Sequence, residues 1–312
     1  MRRLTHLLVL ATPLLLGGCG GADQTKPTAQ DDAAWDQAMA AGRNSFELGR
    51  YTVAVSQYRK AANLALVRDD GDAVAEAGYD LAVSQLAANT PVEALQTTQA
   101  TRQAVALRGG QDQFSLDLVE AASHYRLGQY AQALPLAQHA MQAPDPAVGA
   151  RAALVLGLAA DAQGDRSALQ LAASYLNGLK PPLTPAQQAD KAEIQARLIR
   201  QSSPAQAEQL AEAAAGLRQS EGAYHDMTRA LALAAQIAGS QGDQARAHAL
   251  WARAAQSAAA QSGKLNRMDA QTLAHGNLTK GNAAPPEDDA QIWARNAGNI
   301  VLRPFDQNDT SN

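Results

Sequence analysis

The sequence predicts an all-α fold, a superhelical α-α solenoid of about six helical hairpins, and three observations carry that prediction. Roughly seventy of the 312 residues are alanine, aromatics make up only 4%, and β-branched residues are sparse, so helix formers dominate and strand signals are missing. Six turn signals, Gly49, Asn89, Gly128, Gly164, Ser202 and Gly242, recur at spacings of 36 to 40 residues. Five residues after each stands a small or apolar residue: Ala54, Ala94, Ala133, Leu169, Ala207 and Ala247. An array of such units grows without the size limit of a single core, because each unit packs only on its neighbours.

The first unit sets the pattern. Leu48 and Gly49 close one amphipathic helix, Arg50 and Tyr51 turn the chain, and Ala54, Tyr58 and Ala61 fall at i, i+4 and i+7 on one face of the next helix. In the second unit Pro91 takes the place of the turn aromatic and suits the first position of a helix. The third repeats the first closely, with Leu127, Gly128, Gln129 and Tyr130 ahead of Ala133. Leu156, Gly157 and Gly164 mark the fourth, and Gly242, Asp243, Ala247, Trp251 and Ala254 the sixth. The fifth fits worst, since Ser202, Ser203 and Pro204 stand in for a glycine turn and Gln195 sits where a small residue is expected. Clusters of Gly, Pro and Asp at Asp69 to Asp72, Gly109 to Asp112, Pro144 to Pro146 and Lys180 to Pro185 read as loops between hairpins. Ala and Gly at the recurring positions let two helices approach to the low end of about 8 to 10 Å. The pattern is a packing rule and carries no catalytic signature.

This order of small residue, Gly, aromatic, Ala, aromatic, Ala over residues 35–262 resembles the tetratricopeptide repeat, although the spacing exceeds the usual period of about 34 residues. The resemblance implies that the first helix of each hairpin lines a concave groove. Its groove positions fall here on Arg43 and Phe46, then Tyr79, then Tyr125 and Arg126, then Arg151 and Leu154. Arg and Tyr are residue types that anchor interfaces, and guanidinium groups bind carboxylates in bidentate fashion, so the implied partner offers an acidic or C-terminal peptide.

Ahead of the repeats lies a leader. Arg2 and Arg3 form a positive start, Leu7 to Leu16 an apolar core broken by Pro13, and Leu16, Gly17, Gly18 and Cys19 close it. The apolar run is shorter than the ~20 residues of a membrane span. The ending resembles a bacterial lipobox, which implies removal of residues 1–18 as a lipoprotein signal peptide and acylation of Cys19. Cys19 is the one cysteine, so neither an intramolecular disulfide nor a cysteine metal cluster is available. No Asp follows it, which by the same resemblance points to the outer membrane, with the chain facing the periplasm. Residues 19–34, rich in Gly, Asp, Gln, Thr and Pro, read as the lipidated Cys and a flexible tether spanning about 20 Å on average. Without Arg2 and Arg3 the chain carries 24 basic against 30 acidic residues, which argues against nucleic acid.

Beyond the repeats, 263–298 is expected to supply C-terminal capping helices and 299–312 a loosely ordered tail. Searches for chemistry return little. The histidines are scattered singly, without the spacing of a zinc helix, and the Asp69 to Asp72 and Glu287 to Asp289 acids lack the alternating ligands of a calcium loop. No GxSxG, GxGxxG or phosphate loop occurs. No cofactor, metal or enzymatic activity is expected. The expected function is that of an outer-membrane-anchored periplasmic lipoprotein acting as a protein–protein interaction scaffold or adaptor for an envelope assembly. The alternative is an α-solenoid that binds a solute, peptide or glycan and delivers it to a transporter or enzyme.

Overall fold

A computed structural model describes residues 32–110, 114–261 and Leu302. The described residues form twelve helices and no strand. In chain order they are α1 (Ala33–Glu47), α2 (Tyr51–Val67), α3 (Gly71–Ala87), α4 (Pro91–Ala106), α5 (Phe114–Arg126), α6 (Tyr130–Ala140), α7 (Pro146–Gln163), α8 (Arg166–Asn177), α9 (Pro185–Ile199), α10 (Pro204–Ser220), α11 (Tyr224–Ser240) and α12 (Gln244–Gln261). Helix α1 begins two residues ahead of the expected Trp35. The leader, most of the tether and the expected capping helices lie outside the described residues.

Helix stops follow from local chemistry. Gly49, Gly128, Gly164 and Gly242 take positive φ at four of the six expected turns, and Asn89, the non-glycine that best tolerates that region, takes it at another. The backbone amide of the residue after each of these five then bonds back to the carbonyl five residues earlier, as in Arg50 N to Ser45 O and Asp165 N to Ala160 O. The Ser202 turn has no such residue. There the helix ends at Arg200, and Pro204 opens the next one from its first position. Starts are marked by Asp70, Asp145 and Asp165, whose carboxylates accept from amides of the first turn, and by Thr184, which forms a capping box with Gln187.

Each helix packs on the next one in sequence, the order expected of an α-solenoid. In addition α3 packs on α5, α5 on α7 and α7 on α9, so first helices of successive hairpins lie side by side. Helices α3 and α7 are accordingly buried almost all round. The expected packing positions hold: Ala54, Ala94, Ala133 and Ala207 are fully buried, and Leu169 and Ala247 nearly so. The small residues seven further on, Ala61, Ala140, Ala214 and Ala254, are buried as well. The apolar interior divides into two clusters. One runs from Trp35 through α8 and takes in Ile194 of α9 together with Leu302; the other gathers Ala189 and Ala196 of α9 with α10, α11 and α12.

Candidate functional site

The residues that the resemblance assigns to a groove have diverse surroundings. Phe46 and Tyr79 are buried, Phe46 edge-on against Tyr51 at 5.1 Å between ring centres, so both contribute packing. Leu154 is fully buried. Arg43 is half-buried with its Nη1 3.8 Å from Glu76 Oε1. Tyr125, also half-buried, stacks at a tilt on Tyr130, 5.6 Å between centres. Arg126 reaches back to the end of α3, donating to the Leu86 carbonyl and, at 2.7 Å, to Asn89 Oδ1. It thereby adds a charged donor to a carbonyl at the helix end that also accepts from Asn89 N at 3.0 Å. Burial pushes its pKa down to about 10, so it remains charged at neutral pH.

Arg151 leads into the densest polar feature of the described residues. Its two terminal nitrogens bind Asp190 at 3.1 Å and Asp226 at 2.6 Å. Arg218 of α10, itself almost fully buried, bonds Asp190 and approaches Asp226 to 3.8 Å. From Asp226 the chain of charges passes to Arg229, which holds both oxygens of Glu193 at 2.7 Å. Arg197 then links Glu193 at 3.0 Å to Asp161 at 2.7 Å, and Arg200 closes the row on Asp161 at 2.9 Å. Five arginines thus alternate with four carboxylates across α7, α9, α10 and α11. The members that reach solvent most, Arg200 and Arg151, are both cations, at 35% and 18% side-chain exposure. A smaller cluster joins α4, α5 and α6, where Asp117 takes Arg102 at 2.7 Å and His139.

Burial raises Asp190, Glu193 and Asp226, and the guanidinium groups decide which of the three are pulled back. Glu193 is held at about 2 because Arg229 and Arg197 outweigh its burial. Asp226, ringed by Arg151, Arg229 and Arg218, lies well below the ordinary range. Asp190 is raised, since its burial and the nearby Asp226 exceed what Arg151 and Arg218 return. Arg229 and Arg197 are driven upward in turn, despite their burial, by Asp226 and Glu193 and by Glu193 and Asp161 respectively.

No protein-family model and no curated protein matches the chain. Its chemistry therefore has to be read from its own residues. Tyr79 feels the charge of Arg151, and Tyr125 those of Arg197 and Arg229, so the two tyrosines border the ionic row to which Arg151 belongs. Arg126 is turned toward α3, and Arg43 is paired with Glu76 on the first two hairpins. The sequence reading overlooked most of the row. Asp190, Glu193 and Arg197, at i, i+3 and i+7, share a helix face with buried alanines, which was the available signal. Among the described residues no three His, Cys, Asp or Glu side chains converge as metal ligands, and no helix is long and apolar enough to cross a membrane.

Proposed function

We propose that the chain is an outer-membrane-anchored periplasmic lipoprotein whose tetratricopeptide-like solenoid serves as a docking scaffold for an envelope assembly. The observation that carries this reading is the row of first helices, α3 to α9, lying side by side and bordered by Tyr125, Arg151 and the ionic row. Helices stacked in this way form a backing much longer than a small-molecule pocket, along which the half-buried Tyr125 and Arg151 reach the surface, and this suits an extended peptide. The buried residues at the repeat positions, small in five units and Leu169 in the fourth, support the tetratricopeptide-like register. Arg200 and Arg151, the most exposed of the arginines in the row, favour a carboxylate on the partner, from an acidic segment or a C-terminus. Phe46 and Tyr79 shape the scaffold from beneath, and Arg43, Tyr125 and Arg126 flank it. Cys19 supplies the membrane attachment.

Crosslinking in intact cells followed by purification of the chain tests the proposal. Recovery of one envelope protein in stoichiometric amount is the expected result. A purified chain whose melting temperature rises with a peptide or glycan fragment, and which captures no protein, would overturn the scaffold in favour of a ligand carrier.

A further inference from the structure

Antiparallel packing of consecutive helices gives the first two hairpins two edges. The start of α1 and the ends of α2 and α4 share one of them, as the 5.5 Å stacking of the Arg68 guanidinium on the Trp35 ring makes concrete. That edge exposes aliphatic side chains where helix ends usually carry polar ones: Val67 is 84% and Leu107 86% accessible, with Leu66 beside them at 44%. The ion pair from Arg108 to Asp69, 2.7 Å long, ties the two helix ends together, so Val67 and Leu107 belong to one patch. Arg68 is likewise neutralised by Asp70 at 2.8 Å.

We infer that this edge rests on the lipid headgroup surface, with Val67 and Leu107 entering the interface. The inference deepens the proposed function and rests on its anchor at Cys19. Only Gly20 to Asp32 separate that anchor from α1, a stretch whose contour length is at most about 45 Å. The edge from which α1 starts is therefore held at high effective concentration next to the bilayer, so two weakly inserting side chains suffice. The opposite edge also exposes apolar groups, Leu48 and Val53 among them, but α1 ends there and does not start from it. Charge narrows the lipid class. With Arg68 and Arg108 already paired, the exposed Asp36 and Asp72 leave the edge slightly acidic, which suits zwitterionic headgroups and disfavours anionic ones.

Lipid on the sulfur of Cys19 leaves an introduced cysteine as the one free thiol. Ala106→Cys, next to Leu107, and Glu47→Cys, at the end of α1 on the opposite edge, can each carry a fluorophore at an exposed position. The full-length protein, purified with its lipid and inserted into phosphatidylcholine vesicles bearing a headgroup quencher, is expected to show roughly twofold or greater quenching at position 106 than at 47. Adding Val67→Asp and Leu107→Asp should bring position 106 down to the level of 47, and anionic vesicles should quench it less. Equal quenching at both positions, or stronger quenching at 47, would overturn the edge assignment. The mass of the N-terminal peptide reads the anchor separately: a lipidated Cys19 with equal quenching leaves the proposed function standing, whereas an unmodified Cys19 removes both.

Discussion

Arg229 is the residue on which the ionic row depends most. It is almost fully buried, spends Nε and Nη2 on the two oxygens of Glu193, and bonds Asp226 through Nη1. Arg229→Met keeps most of the volume and removes the charge. Asp226 would retain Arg151 and Arg218, but Glu193, which is fully buried, would keep only Arg197. Removing one partner of a buried ion pair costs about 3 to 5 kcal/mol, mostly from the charge left behind. The loss should be local, because helices of a solenoid lean on their neighbours. Hydrogen exchange followed by mass spectrometry is the assay of choice: amide protection in α9, α10 and α11 should fall by about two to four powers of ten, while α1 to α6 stay unchanged. The double variant Arg229→Met with Glu193→Met should recover most of the loss, since two apolar chains replace a pair already expensive to bury. A single variant with wild-type protection, or a loss spread evenly over all twelve helices, would refute the reasoning.

Three further outcomes are expected. Ala133→Leu overpacks the contact within the third hairpin and should lower stability by about 1 to 3 kcal/mol, whereas the exposed Ala131 should accept leucine without effect; equal urea midpoints would contradict the register. Glu193 titrates near 2 in the folded chain against an ordinary 4.5, so its contribution, about 3 kcal/mol, is complete above pH 4.5 and disappears as the pH falls toward 2. Asp226, also held low, adds to the loss below pH 3.8, and Asp190, shifted the other way, opposes it in part. Glu193→Gln should therefore reduce the fall of the urea midpoint between pH 5 and 2 without abolishing it, and an unchanged fall would contradict the assignment. Cys19→Ser should leave an unlipidated, uncleaved precursor, because a serine hydroxyl cannot replace the thiolate; normal processing and membrane fractionation of that variant would sink the anchor.

Much of the architecture was legible because it depends on single residues with one physical use. Gly49, Gly128, Gly164 and Gly242 mark turns since their φ suits glycine, and the residue five positions on, alanine after three of them and Leu169 after Gly164, is buried in the helix contact. The Ser202 turn was harder to read because proline at a helix start replaces the left-handed residue. Charges misled most. Asp226 and Arg229 one turn apart resemble a solvated stripe, and only contact with α7, α9 and α10 turns that stripe inward. For the same reason Arg126 and Arg151 cannot be treated as exposed charges whose reversal is harmless. Arg151→Glu would set a third carboxylate beside Asp190 and Asp226.

Leu302 has a consequence for the order in which the protein can be completed. It is buried with the apolar cluster of the first eight helices, although the chain has by then passed through all twelve. Leu302, made after all twelve described helices, thus helps to seal the earliest part of the molecule, and that part stays incompletely covered until Leu302 has emerged. A premature stop after Gln261 would preserve every described helix and still uncover apolar surface among the first eight, which makes such a truncated chain a substrate for quality-control proteases.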